Sequence, residues 1–266
     1  MEFMSAREAA DKWGISQRRV AVLCSEQRIK DATMVGNMWI IPSSAEKPID
    51  ARSTRYNRSE EKAVKPFLKW AGGKGQLLKE IERYYPFDSG KITKFAEPFV
   101  GGGAVLFDIL STKHPETVLI NDINKELINT YSQIKNNCDG MISQLSEIQS
   151  IYKSHTLEEN KAFFYEKRQR YNDLKVNGND AENLEKAALF IFLNKTCFNG
   201  LYRVNSKGFF NVPFNNAKNP LLCDEENLRA CSALLQNVEM KVGDYKECKD
   251  FIDSNTFVYI DPPYRP

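Results

Sequence analysis

An aspartate followed by two prolines and a tyrosine, Asp261-Pro262-Pro263-Tyr264, stands directly after the apolar run Phe257-Val258-Tyr259-Ile260. Two prolines cannot continue a strand ladder, and they hold the backbone stiff and extended. The Asp261 carboxylate and the Pro262 carbonyl can then face one point. Two acceptors around an exocyclic amine draw its hydrogens out of the ring plane and leave the nitrogen lone pair free to attack. Tyr264 offers a flat face on which a base can stack. A purely structural turn is the alternative reading of the same four residues.

Three further segments carry side chains suited to a small ligand. Glu97-Pro98-Phe99-Val100-Gly101-Gly102-Gly103 leads from a strand into a helix. Glycine lets the backbone pass close to a ligand at a helix N-terminus. The segment is not a dinucleotide fingerprint, because Leu106 stands where the third glycine belongs; a tight strand-to-helix turn has the same composition. Asn121-Asp122 closes the next strand, where a carboxylate either accepts from both hydroxyls of a ribose or caps a helix. Trp70 and Lys74 bracket Gly72-Gly73. Trp70 can stack on a ligand and Lys74 can pair with a carboxylate, although a buried tryptophan beside a surface lysine is the simpler reading of those two alone.

Positioning these groups requires alternating strands and helices. Lys94-Phe95-Ala96, Val118-Leu119-Ile120, Val238 to Val242 and Phe257 to Ile260 read as strands, and residues 125–195 read as largely helical. Such alternation predicts a parallel sheet with helices on both faces, whose ligands bind outside the carboxyl ends of the strands. All four motifs fall there or beside it. Ahead of this region lies a smaller pattern. Ser5 and Ser16 are placed to cap two short helices on either side of Trp13-Gly14-Ile15, with Arg18 and Arg19 expected on the exposed face. Met34 to Ile41 reads as a hairpin turning at Gly36-Asn37. Helix, turn, helix and β-wing is the plan of small winged helix-turn-helix DNA binders of the excisionase and MerR kinds, which this part resembles; a protein-docking module is the alternative. Between the two patterns, residues 46–64 are polar, rich in arginine and nearly free of aliphatic side chains, so they read as a linker.

Composition narrows the function. The 266 residues are 42% hydrophobic and 27% charged, with 37 basic against 35 acidic side chains. This excludes a disordered tail and a globally basic nucleic-acid coat, but not a local basic face. Six scattered cysteines without a C-x-x-C pair read as reduced thiols of a cytoplasmic protein, and two histidines leave a metal site or a histidine triad almost nothing to use. No run reaches membrane-spanning length and the N-terminus lacks a signal-peptide pattern, so no membrane association is expected.

The segments Phe67 to Lys74, Phe95 to Phe107, Ile120 to Tyr131, Phe192 to Pro213 and Val242 to Tyr264 occur in this order, and together they resemble the Dam-type (D12 class, alpha group) DNA adenine-N6 methyltransferases over roughly residues 65–264. The resemblance implies a Rossmann-like α/β sheet and S-adenosyl-L-methionine as cofactor. Trp70, Lys74, Glu97, Phe99, Gly101, Gly103, Asp122, Asp244 and Asp261 would contact it, with Asp244 near its adenine. Asp261, Pro262 and Tyr264 would be catalytic. Residues 135–220 would form a target-recognition region on double-stranded DNA. Within it, the turn signals Asn199-Gly200 and Lys207-Gly208 suggest short strands with aromatics interleaved among Lys, Arg and Asn. Arg203 would read a guanine, Phe198 would wedge at the flipped adenine, Lys69 would read another base, and Asn199 would also bind DNA. The family commonly recognises 5′-GATC-3′, and a place in a restriction-modification system is a further expectation.

The organisation expected is thus a winged helix-turn-helix domain at 1–45, a linker at 46–64 and a methyltransferase domain at 65–266. The family continues past the Pro-Pro-Tyr turn whereas this chain stops at Arg265-Pro266. That pattern predicts an incomplete sheet and a missing C-terminal fragment as partner. Two other functions fit the residues: a catalytically dead remnant that only binds DNA, and a cytosine-N4 methyltransferase.

Overall fold

Two serines start the helices of the first unit. The Ser5 hydroxyl accepts from the Glu8 amide while the Glu8 carboxylate accepts from the Ser5 amide at 2.7 Å, a reciprocal cap on α1 (Ala6–Trp13). Gly14 ends that helix in the left-handed region at φ 64. The Ser16 hydroxyl accepts from the Arg19 amide and starts α2 (Gln17–Ser25). The structure, a computed structural model, describes residues 3–26, 28–36, 38–47 and 64–262. The chain divides into two units, Met1–Lys62 and Ala63–Pro266.

In the first unit, β1 (Phe3–Ser5), β2 (Thr33–Val35) and β3 (Met38–Pro42) form an antiparallel sheet in the order β1-β3-β2. β1 was not anticipated from the sequence; at three residues it is too short to show a period. Ala9, Val20, Leu23 and Ile41 are at most 3% exposed and close the small core with Trp13. Arg18 is exposed, but Arg19 is half-buried rather than solvent-facing as expected. The three arginines of the linker lie outside the described residues.

The second unit opens with α3 (Leu78–Ile81), then β4 (Lys94–Glu97), α4 (Ala104–Thr112) and β5 (Thr117–Asp122). Four helices follow: α5 (Lys125–Asn136), α6 (Cys138–Ser154), α7 (Leu157–Asn177) and α8 (Asn183–Thr196). They account for the helical stretch expected at 125–195. α9 (Glu225–Leu235), β6 (Val238–Val242) and β7 (Thr256–Val258) complete the described elements. The sheet is wholly parallel in the order β6-β5-β4-β7. Val118, Leu119 and Ile120 of β5 are all at most 3% exposed, as befits a strand covered on both faces. β7 is shorter than the expected Phe257–Ile260, although the Tyr259 amide still donates to the Ala96 carbonyl.

The chain runs from β4 outward through β5 to β6, then returns to the other side of β4 as β7. Strand order therefore reverses at β4, which opens a crevice at the carboxyl ends beside it. No helix among the described residues is long and apolar enough to cross a membrane.

Candidate active site

The crevice is a cleft of about 770 Å³ bounded by the residues that follow β4, β5, β6 and β7 and by the segment from Pro66 to Gly75. Asn121, buried at the end of β5, organises its floor. Its Nδ2 donates to the carbonyls of Pro98 and Gly243 at 3.1 and 3.0 Å, tying the turns after β4 and β6 to one side chain. Asp122 continues the same work. One carboxylate oxygen accepts from the Gly101 amide at 3.1 Å and the other from the Asn124 amide at 2.9 Å. The cap of α5 is Asn124, not Asp122, which leaves Asp122 facing the cleft.

The glycine turn is shaped by an aromatic ring. Gly101 has φ 48, and a Cβ added there would lie 2.7 Å from Trp70 Nε1. Trp70 thus lies against bare backbone, and its outer neighbour is Tyr202, nearly parallel at 6.3 Å between ring centroids. Beneath the turn, the Tyr131 hydroxyl donates to the Gly101 carbonyl at 3.1 Å. At the other end of the cleft, Phe99 and Tyr245 stand 5.9 Å apart beside Asp244, whose carboxylate accepts from the Lys246 amide.

Four carboxyl groups face this space, Glu97, Asp122, Asp244 and Asp261. Lys74 donates to Asp261 across the mouth, both side chains being largely buried. The expectation of a surface lysine beside a buried tryptophan is thereby corrected: the fold turns Lys74 inward onto Asp261. Glu97 is 3% exposed, and its Oε2 has no hydrogen-bond partner. Burial, then the neighbouring Asp261 carboxylate, pushes its ionisation well above the usual carboxylate range, against the opposing pull of the Leu106 amide. Burial also raises Asp122, opposed by its bonds from the Asn124 and Gly101 amides. A desolvated cleft with excess acid and flat aromatic walls suits a cation that carries a planar ring.

Beyond Trp70 the wall is formed by residues 197–214. The short strands expected here are absent among the described residues; isolated bridges join Cys197 to Phe214 and Val204 to Phe210. Asn199 adopts φ 53, and the Asn205 side chain accepts from the Lys207 and Phe209 amides, so local turns displace a regular ladder. Phe198 and Asn199 are exposed, and Arg203 is exposed with Nε donating to Asn211 Oδ1 at 2.8 Å. Lys69 stands beside this segment, next to Gly200.

The structure therefore gathers Trp70, Lys74, Glu97, Phe99, Gly101, Gly103, Asp122, Asp244, Asp261 and Pro262 around one cleft, and places Lys69, Phe198, Asn199 and Arg203 on the segments flanking it. Tyr264 lies outside the described residues. Sequence reasoning missed Tyr131 and Tyr202, and it quoted Asn121 without a role. Their signal is tertiary contact, which no local spacing reports.

The family described as D12 class N6 adenine-specific DNA methyltransferase matches residues 70–266. A Type II methyltransferase of Methanocaldococcus jannaschii is 48% identical over 205 residues, which cover 76% of this chain and 70% of that protein. A Type II methyltransferase of Lactococcus lactis subsp. cremoris is 38% identical, over 76% of this chain and 66% of its own. A DNA adenine methylase of Haemophilus influenzae is 36% identical, over 76% of this chain and 64% of its own. The match thus spans about two thirds of these relatives' lengths.

Proposed function

The chain belongs to the family of D12 class N6 adenine-specific DNA methyltransferases, and on that footing we propose that it methylates N6 of adenine at a specific site in duplex DNA, with S-adenosyl-L-methionine as methyl donor. The observation that carries this reading is Asp261, which follows β7 at the lip of an acidic cleft and is held there by Lys74.

The residues present fit the cofactor. Its sulfonium and ammonium are cationic, and Glu97 offers them a buried carboxyl oxygen without a partner. Asp122 suits the ribose hydroxyls, and Phe99 and Tyr245 with Asp244 suit the adenine. When bound, S-adenosyl-L-methionine supplies an electrophilic methyl group and leaves as a neutral thioether.

The remaining work falls to this chain. N6 is blocked inside the base stack, so the adenine must be turned out of the duplex. The Asp261 carboxylate and the Pro262 carbonyl accept from the amino hydrogens and turn the nitrogen lone pair toward the cofactor end of the cleft. Tyr264 stacks on the base. Lys74 fixes the carboxylate, and the low-dielectric surroundings strengthen both contacts. Sequence choice belongs to Lys69 together with Phe198, Asn199 and Arg203 of the 135–220 region, and 5′-GATC-3′ is the site we assign.

The first unit is read as a winged helix-turn-helix over residues 1–45, with α2 turned to DNA, joined by the linker at 46–64 to the methyltransferase domain at 65–266. Two relatives are named Type II methyltransferases, which supports a place beside a restriction nuclease. A cytoplasmic location follows from a DNA substrate.

The test is methyl transfer from tritiated S-adenosyl-L-methionine to an unmethylated GATC duplex, followed by nucleoside analysis. Label in N6-methyladenine supports the reading. Label in N4-methylcytosine, or a chain that binds neither the donor nor its demethylated product, overturns it.

A further inference from the structure

The segment 197–214 has no regular ladder: its arms meet at two isolated bridges and through bonds such as Phe198 amide to Pro213 carbonyl and Asn211 amide to Arg203 carbonyl, and side chains from α7 and α8 add to these. Asn194, near the end of α8, is 3% exposed. Its Oδ1 accepts from the Lys69 amide at 2.8 Å, and its Nδ2 donates to the carbonyls of Lys69 and Gly200, each at 2.8 Å. One side chain thus fastens two backbones together. Gly200 shows how closely they meet: at φ 63 it has no Cβ, and one added there would stand 2.5 Å from the Lys69 Cβ. Asn172 of α7 does the same for the far arm. Its Oδ1 accepts from the Phe210 amide at 2.8 Å and its Nδ2 donates to the Phe210 carbonyl at 3.1 Å.

A side-chain amide that pairs with both backbone groups of one residue takes the place of a neighbouring strand. It also makes the separation of the two segments depend on a single rigid group rather than on a long ladder. Lys69 lies one residue before Trp70 of the cofactor cleft, and Gly200 sits between Asn199 and the turn that leads to Arg203.

We propose that Asn194 is a positioning residue for sequence choice: it fixes the spacing between Lys69 and the Phe198–Arg203 segment, so that the two contact neighbouring bases in one register. Asn172 holds the opposite end of the same segment. The inference rests on the reading of these segments as DNA-facing, and Asn194 acts through them without touching the reacting atoms.

The test uses the full chain with Asn194→Asp, which keeps the acceptor and removes both donors, and with Gly200→Ala, which disturbs the same contact from the other side. Asn160→Ala is the comparison: Asn160 is also buried, and its Nδ2 donates to the Tyr152 carbonyl, away from this segment. Fluorescence anisotropy compares a GATC duplex with duplexes carrying one altered base pair, calorimetry measures S-adenosyl-L-methionine binding, and thermal melting reports folding. Asn194→Asp and Gly200→Ala are expected to lose about tenfold in discrimination between the two duplexes, with cofactor binding retained. Asn160→Ala is expected to lower the melting temperature and keep discrimination. If either of the first two variants is folded and discriminates like the parent chain, the positioning role is overturned while the methyltransferase reading stands. If the parent chain binds no duplex, both readings fall together.

Discussion

The Lys74 ammonium donates to the Asp261 carboxylate across 187 positions of sequence, and both side chains line the cleft. Each partner is meaningful only beside the other. Lys74 comes from the segment ahead of the first strand of the parallel sheet, and Asp261 from the residues that follow its last described strand. Asp261→Ala should lower methyl transfer by about a hundredfold or more, because the amine loses its acceptor and its alignment. Cofactor binding should persist at least weakly, since the other residues that line the cleft remain. Single-turnover transfer together with calorimetry checks this, and near-normal transfer by the variant would remove Asp261 from the chemistry.

Lys74→Ala should leave Asp261 in place but unfixed. A partly buried carboxylate that loses its cation is costly, so melting temperature and transfer should both fall. Lys74→Arg restores the charge and should recover part of both. An alanine variant with the melting temperature and transfer rate of the parent would show that the pair has no role.

Glu97 makes the stability of the cofactor-free chain pH-dependent. Its folded-state ionisation lies well above the ordinary value of 4.5. Between those two points the folded state holds a proton that the unfolded state has released, so stability falls as pH rises. The contribution of Glu97 is complete below pH 4.5 and is lost toward the folded-state value. Glu97→Gln removes this titration. Its melting temperature relative to the parent should therefore increase from pH 5 to pH 8, and parallel melting profiles would refute the buried, protonated carboxyl.

Gly101→Ala combines a left-handed backbone with a Cβ placed 2.7 Å from Trp70. The cost should be about 1–3 kcal/mol in stability. Because Trp70 must move off the turn, affinity for S-adenosyl-L-methionine should fall as well, which calorimetry would measure. A variant with unchanged affinity would detach Trp70 from cofactor binding.

Arg203→Ala should relax sequence choice at one base pair by about 1–3 kcal/mol. Arg203 also bonds Asn211, so Asn211→Ala is the companion that separates a lost base contact from a loosened turn. Discrimination that is unchanged in Arg203→Ala would place base reading elsewhere.

Much of this was legible before any coordinates. The apolar run of β5 announces a buried parallel strand, since a central strand must be hydrophobic on both faces, whereas β6 at the edge of the sheet alternates apolar and charged side chains. Glycine at 101–103 and proline at 262–263 announce breaks, since backbone freedom and a missing N–H act within a few residues. Ser5 and Ser16 announce helix starts for the same local reason. The sequence by itself therefore determined the strands of the parallel sheet, the turns at their ends and the residue types delivered there, but neither β1 nor the irregular course of residues 197–214. Only the tertiary structure decided the partners. Strand order β6-β5-β4-β7 brings Asp261 to Lys74, seals Glu97 from water and lays Trp70 on Gly101. Packing on α7 and α8 sets the 197–214 segment on the side chains of Asn172 and Asn194 in place of a ladder. Propensity and capping decay within a turn or two of chain, whereas contacts over a hundred residues apart depend on which strands pair and which helices cover them.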